Sequence, residues 1–309
     1  MIEAINITNK SDQETFYVNQ AYLEKNKGIV NDRYYESFKN KKEQVTLIDM
    51  EEINLFNKLV EQDIDYKDFR RNVIISGINL AKEIFNCYDP TIDFKSILKD
   101  GQKVTIGDVA FIVNGISGSI LTIERLVLNV MQRMSAISTL TNKYVEKLKG
   151  FNSKILDTRK TTPLNRFLEK QAVKIGGGYN HRFGLYDMIM LKDNHIDFAG
   201  GIQQAIEKTN NYLRENKLDI KIEIETRNLN EVKQVLECGN VHRIMMDNFN
   251  YQDLKTRVEL IKGVYETEAS GGINLDTVKN YAMCGVDYIS VGALTHSVNN
   301  MDLSLKAVK

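Results

Sequence analysis

The sequence predicts an α/β protein whose larger part is a parallel βα-barrel, and three observations carry that reading. From about residue 150 onward, short apolar strands alternate with amphipathic helices at spacings of roughly 20 to 35 residues, as repeated βα modules require. Six such units without a long interruption favour a barrel over an open doubly wound sheet, and no G-x-G-x-x-G turn opens the first helix as a dinucleotide fold would demand. Nearly every candidate strand also ends in a polar group, which in a βα-barrel places those groups on one face.

The expected strands are 154–157, 188–191, 220–225, 243–246, 264–268 and 286–291, with helices at 163–175, 202–216, 229–238, 251–262 and 275–283. Pro163 suits a first helical turn, where its missing N–H costs nothing. Ahead of the barrel, residues 121–147 read as one long helix whose Leu128/Met131/Met134/Ile137 stripe is a core face, not a cofactor contact. Residues 99–104 and 106–109 read as strand–turn–strand with glycine at the turns. Residues 1–80 differ in texture, being richer in Asn, Lys, Tyr and acidic residues, and form an atypical α+β N-terminal region with a strand at 44–48 and a helix at 51–61.

Composition narrows the function. The 309 residues carry 41 basic and 41 acidic side chains, a balance that argues against a general nucleic-acid binder. No apolar run is long enough to span a bilayer, and the start Met1-Ile2-Glu3-Ala4-Ile5 lacks the pattern of a secretory leader. Cys87, Cys238 and Cys284 have neither metal nor disulfide spacing, so they read as reduced thiols of a cytoplasmic protein.

Against that neutral background, Arg159, Lys160, Arg166, Lys174, His181, Arg182 and Lys192 crowd one stretch. Such crowding is unfavourable by self-repulsion unless an anion sits among the cations, so it points to a polyanionic small substrate. The strand ends supply the rest of the site: Asp157-Thr158-Arg159-Lys160, Lys192-Asp193-Asn194, Glu223/Glu225, Asp247-Asn248, Glu268-Ala269-Ser270-Gly271-Gly272 and Gly292-Ala293. Alternation turns Glu223 and Glu225 to the same face; either could be a ligand, and Glu225 lies nearer the rim. Arg166 and Lys170 read equally well as solvated charges. His195 could serve only to brace Lys192, His296 could be structural, and His242 merely opens a strand.

Six ordered motifs resemble the quinolinate phosphoribosyltransferase family over about residues 81–309: Glu124-Arg125…Asn129, Asp157-Thr158-Arg159-Lys160-Thr161, Asn180-His181-Arg182, Lys192-Asp193-Asn194-His195, Glu268-Ala269-Ser270-Gly271-Gly272 and Gly292-Ala293-Leu294-Thr295-His296. The resemblance implies an incomplete, type II phosphoribosyltransferase-like α/β barrel over 151–309, with 81–150 completing an N-terminal α/β region. It also implies a homodimer whose active sites are shared across the interface. The implied reaction joins quinolinate to phosphoribosyl pyrophosphate with Mg²⁺ and releases pyrophosphate and carbon dioxide, giving nicotinate mononucleotide.

By the same resemblance, Arg159, His181, Arg182 and Lys192 form the dicarboxylate pocket, with Arg125 lent by the partner subunit. Guanidinium groups suit adjacent carboxylates because they bind them bidentately. Lys160 and Lys192 neutralise phosphate charge. Glu225 and Asp247 act electrostatically on the ribose and hold ribose hydroxyls or Mg²⁺. The 5′-phosphate rests on backbone N–H groups of Ser270, Gly271, Gly272, Gly292 and Ala293.

This chain departs from the family pattern at Ser135-Ala136-Ile137-Ser138 and at Leu164-Asn165, which follows Thr161-Thr162-Pro163. Residues 1–80 also lack the family's acidic, glycine-rich segment and instead resemble the first half of a MOSC domain through Met1-Ile2-Glu3-Ala4-Ile5, Gly28-Ile29-Val30-Asn31-Asp32-Arg33-Tyr34-Tyr35, Gln44-Val45-Thr46-Leu47-Ile48 and Phe69-Arg70-Arg71-Asn72-Val73-Ile74. The match stops before that domain's usual cysteine, so no molybdenum cofactor is expected. Two other outcomes stay open at this point: a pyrophosphorylase paralogue associated with molybdate metabolism, and a non-catalytic chimera retaining the barrel.

Overall fold

A computed structural model describes residues 77–104 and 108–308, together with four short strands nearer the N-terminus. Those strands form two antiparallel pairs: β1 (Ile5–Ile7) with β2 (Phe16–Val18), and β3 (Leu23–Glu24) with β4 (Gly28–Ile29). The strand expected at 44–48, the helix at 51–61 and most of the MOSC-like motifs lie outside the described residues. The chain divides into two compact units, 1–73 with 83–91 and 74–82 with 92–309.

Helix α1 (Ile78–Tyr88) runs unbroken through Leu80/Ala81, where the resemblance changes character. Its orphan N–H groups are met from outside by Asp100, whose carboxylate accepts Ile78 N–H at 2.6 Å and Asn79 N–H at 3.4 Å. Of the strand–turn–strand expected at 99–104 and 106–109, residues 105–107 lie outside the described residues and the others form no strand. The paired strands are β5 (Asp93–Ser96) and β6 (Phe111–Asn114), antiparallel, with Phe94 stacked on Phe111 at 4.6 Å. Their inward-facing aromatic residues, rather than the glycine-rich segment between them, provide the surface a strand needs.

Helix α2 (Ser117–Lys147) begins earlier than expected and buries Leu128, Met131, Met134 and Ile137, confirming the core stripe. The barrel follows. Strands β7 (Lys154–Leu156), β8 (Met188–Leu191), β9 (Lys221–Thr226), β10 (Arg243–Asp247), β11 (Glu266–Ser270) and β12 (Tyr288–Ser290) form one parallel sheet. The order is β7-β12-β11-β10-β9-β8, so β7 and β8 are its free edges, and the sheet is an incomplete barrel as expected. Tyr179 adds a single parallel bridge to the free edge of β7. Interleaved with the strands are α3 (Arg166–Ile175), α4 (Asp193–Ala199), α5 (Ile202–Glu215), α6 (Leu229–Cys238), α7 (Tyr251–Ile261), α8 (Val278–Met283) and α9 (Ala293–His296).

Alternation along the strands separates two environments. Ile155, Ile222, Ile224, Ile244, Met246, Ala269 and Ile289 are buried on one face and supply the apolar layer that helices cover. The residues between them point into the lumen and include Glu223, Arg243 and Glu268.

Two expected boundaries shift with consequences for the site. Helix α3 starts at Arg166, not Pro163, because Leu164 adopts a left-handed conformation (φ 65°) that breaks the helical path. Strand β11 starts at Glu266 and ends at Ser270, two residues later than expected, which moves Glu268 from the rim into the lumen. Helix α4 was not anticipated. Helix α8 starts at Val278 rather than 275, since the Asn274 side chain accepts Asp276 N–H and Thr277 N–H and closes a turn first. Gly176, just past α3, meets α2 closely: a Cβ there would stand 2.5 Å from Ser138 O.

Candidate active site

The C-terminal rim of the barrel collects the expected groups on loops held from below. At the end of β7, Asp157 is fully buried. Its carboxylate accepts His181 N–H at 2.8 Å and pairs with the ammonium of Lys170, which also donates to His181 O at 2.9 Å. One carboxylate therefore fastens the loop carrying Arg159 and Lys160 to the loop carrying His181 and Arg182. Burial pushes the Asp157 carboxyl up to about 6 against the pull of Lys170. Lys170 is thus an internal anchor and not a solvated charge. Arg166 is also tied down, donating to Thr161 Oγ1 at 3.1 Å and Phe183 O at 3.0 Å.

His181 is expected to line the pocket, but its ring lies beneath it and is only 6% exposed. Its Nδ1 accepts Arg182 N–H at 2.6 Å, and Nε2 stands 2.8 Å from Glu223 Oε2 and 3.6 Å from Glu268 Oε2. Its contribution to the pocket therefore passes through the backbone of Arg182. Arg182 is half-buried, and its pKa is depressed first by burial and then by the nearby charge of Arg159. The rim thus presents adjacent guanidinium groups whose repulsion an anion would relieve.

Across the rim, Glu225 on β9 and Asp247 on β10 are half-exposed. Burial raises the Glu225 pKa, the Asp247 carboxylate raises it further, and Lys192 pulls it back. Lys192 precedes α4, and its N–H donates to His195 Nδ1 at 3.1 Å, so His195 does brace it. His242 is structural, accepting Ile222 N–H at 3.0 Å. Two hard carboxylate donors in mutual repulsion suit a divalent cation such as Mg²⁺.

Two glycine loops complete the rim. Beyond Ser270, Gly271 (φ 101°) packs so tightly that a Cβ would stand 2.2 Å from Asn248 Oδ1. Gly271→Ala should accordingly cost about 1–3 kcal/mol through backbone strain alone, read as a lowered Tm. Gly292 leaves room for the Lys160 chain, whose Cδ lies 3.2 Å from where a Cβ would be. Ala293 follows as the first residue of α9. Arg125 is exposed on α2, and no hydrogen bond or ion pair joins it to the rim groups among the described residues.

Sequence reasoning put Glu223 and Glu268 among the strand-end groups and left Arg243 out, whereas the three form a layer below the rim. Glu223 and Glu268 are both fully buried and face His181 and Arg243. Arg243 Nη1 is 2.9 Å from Glu268 and 4.0 Å from Glu223, while Nη2 is 3.2 Å from Glu266 and the guanidinium stacks on Tyr288 at 4.0 Å. Burial raises Glu223 to about 7 and Glu268 to about 8, the latter helped by the neighbouring Glu223 charge. His181, Glu223 and Glu268 could ligate a metal ion by proximity. The Arg243 guanidinium already supplies the positive charge, however, so the cluster reads as the floor of the site. The available signal was the inward parity of Glu223 with Arg243 on neighbouring strands.

A parallel βα-barrel bearing guanidinium groups, a carboxylate pair and two glycine-lined loops at one rim defines a class: barrel enzymes acting on phosphorylated, anionic substrates. Comparison with known proteins names the group within it. The C-terminal domain of quinolinate phosphoribosyl transferase matches residues 137–306, and the N-terminal domain matches residues 52–135. A mitochondrial quinolinate phosphoribosyltransferase [decarboxylating] from Nicotiana glauca is 46% identical over 247 residues, covering 75% of this chain and 70% of its own length. A probable nicotinate-nucleotide pyrophosphorylase [carboxylating] from Bacillus subtilis is 41% identical over 232 residues, covering 75% and 79%. Among solved structures, NadC from Streptococcus pyogenes superposes with a TM-score of 0.72 at 33% identity, covering 85% of this chain and 98% of that one. The chain belongs to the quinolinate phosphoribosyltransferase family. Its N-terminal pattern extends upstream of residue 81, to residue 52.

Proposed function

We propose that this protein is a nicotinate-nucleotide pyrophosphorylase (carboxylating), a pentosyltransferase of de novo NAD biosynthesis. It converts quinolinate and phosphoribosyl pyrophosphate to nicotinate mononucleotide, pyrophosphate and carbon dioxide. The observation that carries the reading is the half-buried Arg182 guanidinium held beside Arg159, in a barrel whose strands also end in the Glu225 and Asp247 pair. Arg159, Arg182 and Lys192 hold the adjacent carboxylates of quinolinate, and His181 fixes the Arg182 backbone from below. In a homodimer, Arg125 of a second copy completes this pocket.

The pyridine nitrogen attacks ribose C1 as the C1–oxygen bond to pyrophosphate breaks. Positive charge develops on the ribose and is stabilised by Glu225 and Asp247. Lys160 and Lys192 offset the charge of the departing pyrophosphate. The 5′-phosphate rests on the N–H groups of Ser270, Gly271, Gly272, Gly292 and Ala293. Glu225 and Asp247 would hold Mg²⁺, which when bound neutralises phosphate charge. Once the nitrogen is quaternary, the ring accepts the electron pair left as the neighbouring carboxylate departs as carbon dioxide, and a proton replaces it. The protein's part is positioning and charge, with no covalent nucleophile. No helix among the described residues is long and apolar enough to cross a membrane. The three free cysteines fit a cytoplasmic setting.

The test is formation of nicotinate mononucleotide from both substrates with Mg²⁺, using Arg159→Ala as control. The expected result is product that requires both substrates, is lost on chelation, and falls by about 10²-fold in the control. Product no greater than in Arg159→Ala would overturn the reading.

A further inference from the structure

Arg133 and Glu169 touch neither rim loop's cationic side chains, yet the hydrogen bonds of both loops converge on them. Glu169, fully buried in the first turn of α3, accepts Arg133 Nε at 3.0 Å and Nη2 at 2.7 Å. The same carboxylate accepts Thr162 N–H at 3.0 Å and Thr162 Oγ1–H at 2.8 Å. From α2, Arg133 Nη2 also donates to Thr295 O at 2.5 Å, and Nη1 donates to Val298 O at 3.4 Å. Thr295 Oγ1 in turn donates to Lys160 O at 2.8 Å. One buried ion pair therefore ties the loop after β7, which carries Lys160, to the Gly292–Thr295 turn after β12.

A stability role alone does not account for this arrangement. A buried ion pair can be exchanged for apolar side chains of similar volume with little loss of stability. An apolar pair could not hold Thr162 N–H and Thr295 O at fixed separation. The planar fork of arginine fits that task, because several donors in one plane reach a carboxylate and a carbonyl together.

We infer that Arg133 and Glu169 are positioning residues that set the distance between Lys160 and the Gly292 turn, and so govern recognition of phosphoribosyl pyrophosphate separately from quinolinate. The inference rests on the reaction proposed above. It assigns the two sides of the site to different fasteners: Lys170–Asp157 for the His181–Arg182 loop, and Arg133–Glu169 for the phosphate side.

The test uses steady-state kinetics and thermal unfolding of the full-length protein. Arg133→Lys keeps the charge but loses the fork, and should raise the KM for phosphoribosyl pyrophosphate about 10- to 100-fold while the KM for quinolinate stays within about twofold. The double variant Arg133→Met/Glu169→Met should retain a near-wild-type Tm yet show the same selective rise. Should either fail to fold, Thr295→Val, which removes only the hydroxyl link to Lys160, decides the matter by the same comparison of the two KM values. Equal rises in both KM values, or wild-type kinetics in these variants, would overturn the inference. A wild-type protein without activity would instead point to failure of the proposed reaction.

Discussion

Arg182→Ala should lower kcat/KM for quinolinate by about 10²- to 10³-fold while leaving the KM for phosphoribosyl pyrophosphate within about threefold. Arg182 is the half-buried member of the guanidinium pair, its backbone N–H is fixed by His181 Nδ1 at 2.6 Å, and its Nη1 reaches Met188 O at 3.3 Å. Those contacts orient the fork before any substrate arrives, so the ordering cost of binding is already met. Truncation removes the fork and leaves the dicarboxylate without the one pre-oriented guanidinium among its cationic partners. Arg182→Lys should recover only a fraction of the loss, since an ammonium restores the charge but not the planar bidentate geometry. Retention of wild-type kcat/KM in Arg182→Ala would remove Arg182 from the pocket.

The largest stability effect is expected for Lys170→Met. The Lys170–Asp157 pair is 1% and 0% exposed, and removing the lysine leaves a carboxylate in the interior with the His181 N–H as its remaining donor of that set. The cost should be about 3–5 kcal/mol, a fall in Tm of roughly 6–20 °C. Combining Lys170→Met with Asp157→Asn should restore most of it, because the stranded charge is gone. The pH dependence has a definite sign. Asp157 has its folded pKa raised from 3.8 to about 6. Across that window the folded state holds a proton that the unfolded state releases, so stability falls as pH rises through it. Without Lys170 the window extends upward, so the variant's deficit should be smallest near pH 5 and largest near pH 8. A deficit independent of pH would mean that Asp157 is not the group left stranded.

The barrel was legible in the sequence because its signal is redundant. All six strands fall within two residues of their expected start and end, since runs such as Met188–Leu191 and Arg243–Asp247 are apolar on the helix-facing side whatever their lumen residues are. The rim groups Arg159, Lys192, Glu225 and Asp247 were legible for a related reason: a charge after an apolar run marks a strand end. What lay one layer down was not. Lys170, Glu169 and Arg133 sit on helices in patterns indistinguishable from solvated charges, and only the packing of α3 against α2 and β7 makes them internal. Glu268 was misplaced because Val264 looks like the first apolar residue of a strand, whereas Val264 is exposed and pairing begins at Glu266. Pro163 misled for the converse reason. Its local preference for a first turn was overridden by Thr162, which is held by Glu169 and obliges the chain to reverse at Leu164.

The charged lumen bears on how the strands find their alignment during folding. The helix-facing residues Ile222 and Ile224 of β9 and Ile244 and Met246 of β10 are nearly interchangeable aliphatics, so apolar contact there discriminates weakly between one pairing and the next. The inward residues are not interchangeable: Arg243 must meet Glu223, Glu266 and Glu268, contributed by both neighbouring strands. Sliding β10 by a single position would turn Ile244 into the lumen and drive Arg243 into the aliphatic layer, stranding its charge along with those of its partners. The polar floor beneath the substrate therefore doubles as a combination lock, rejecting misaligned sheets that a greasy barrel would tolerate.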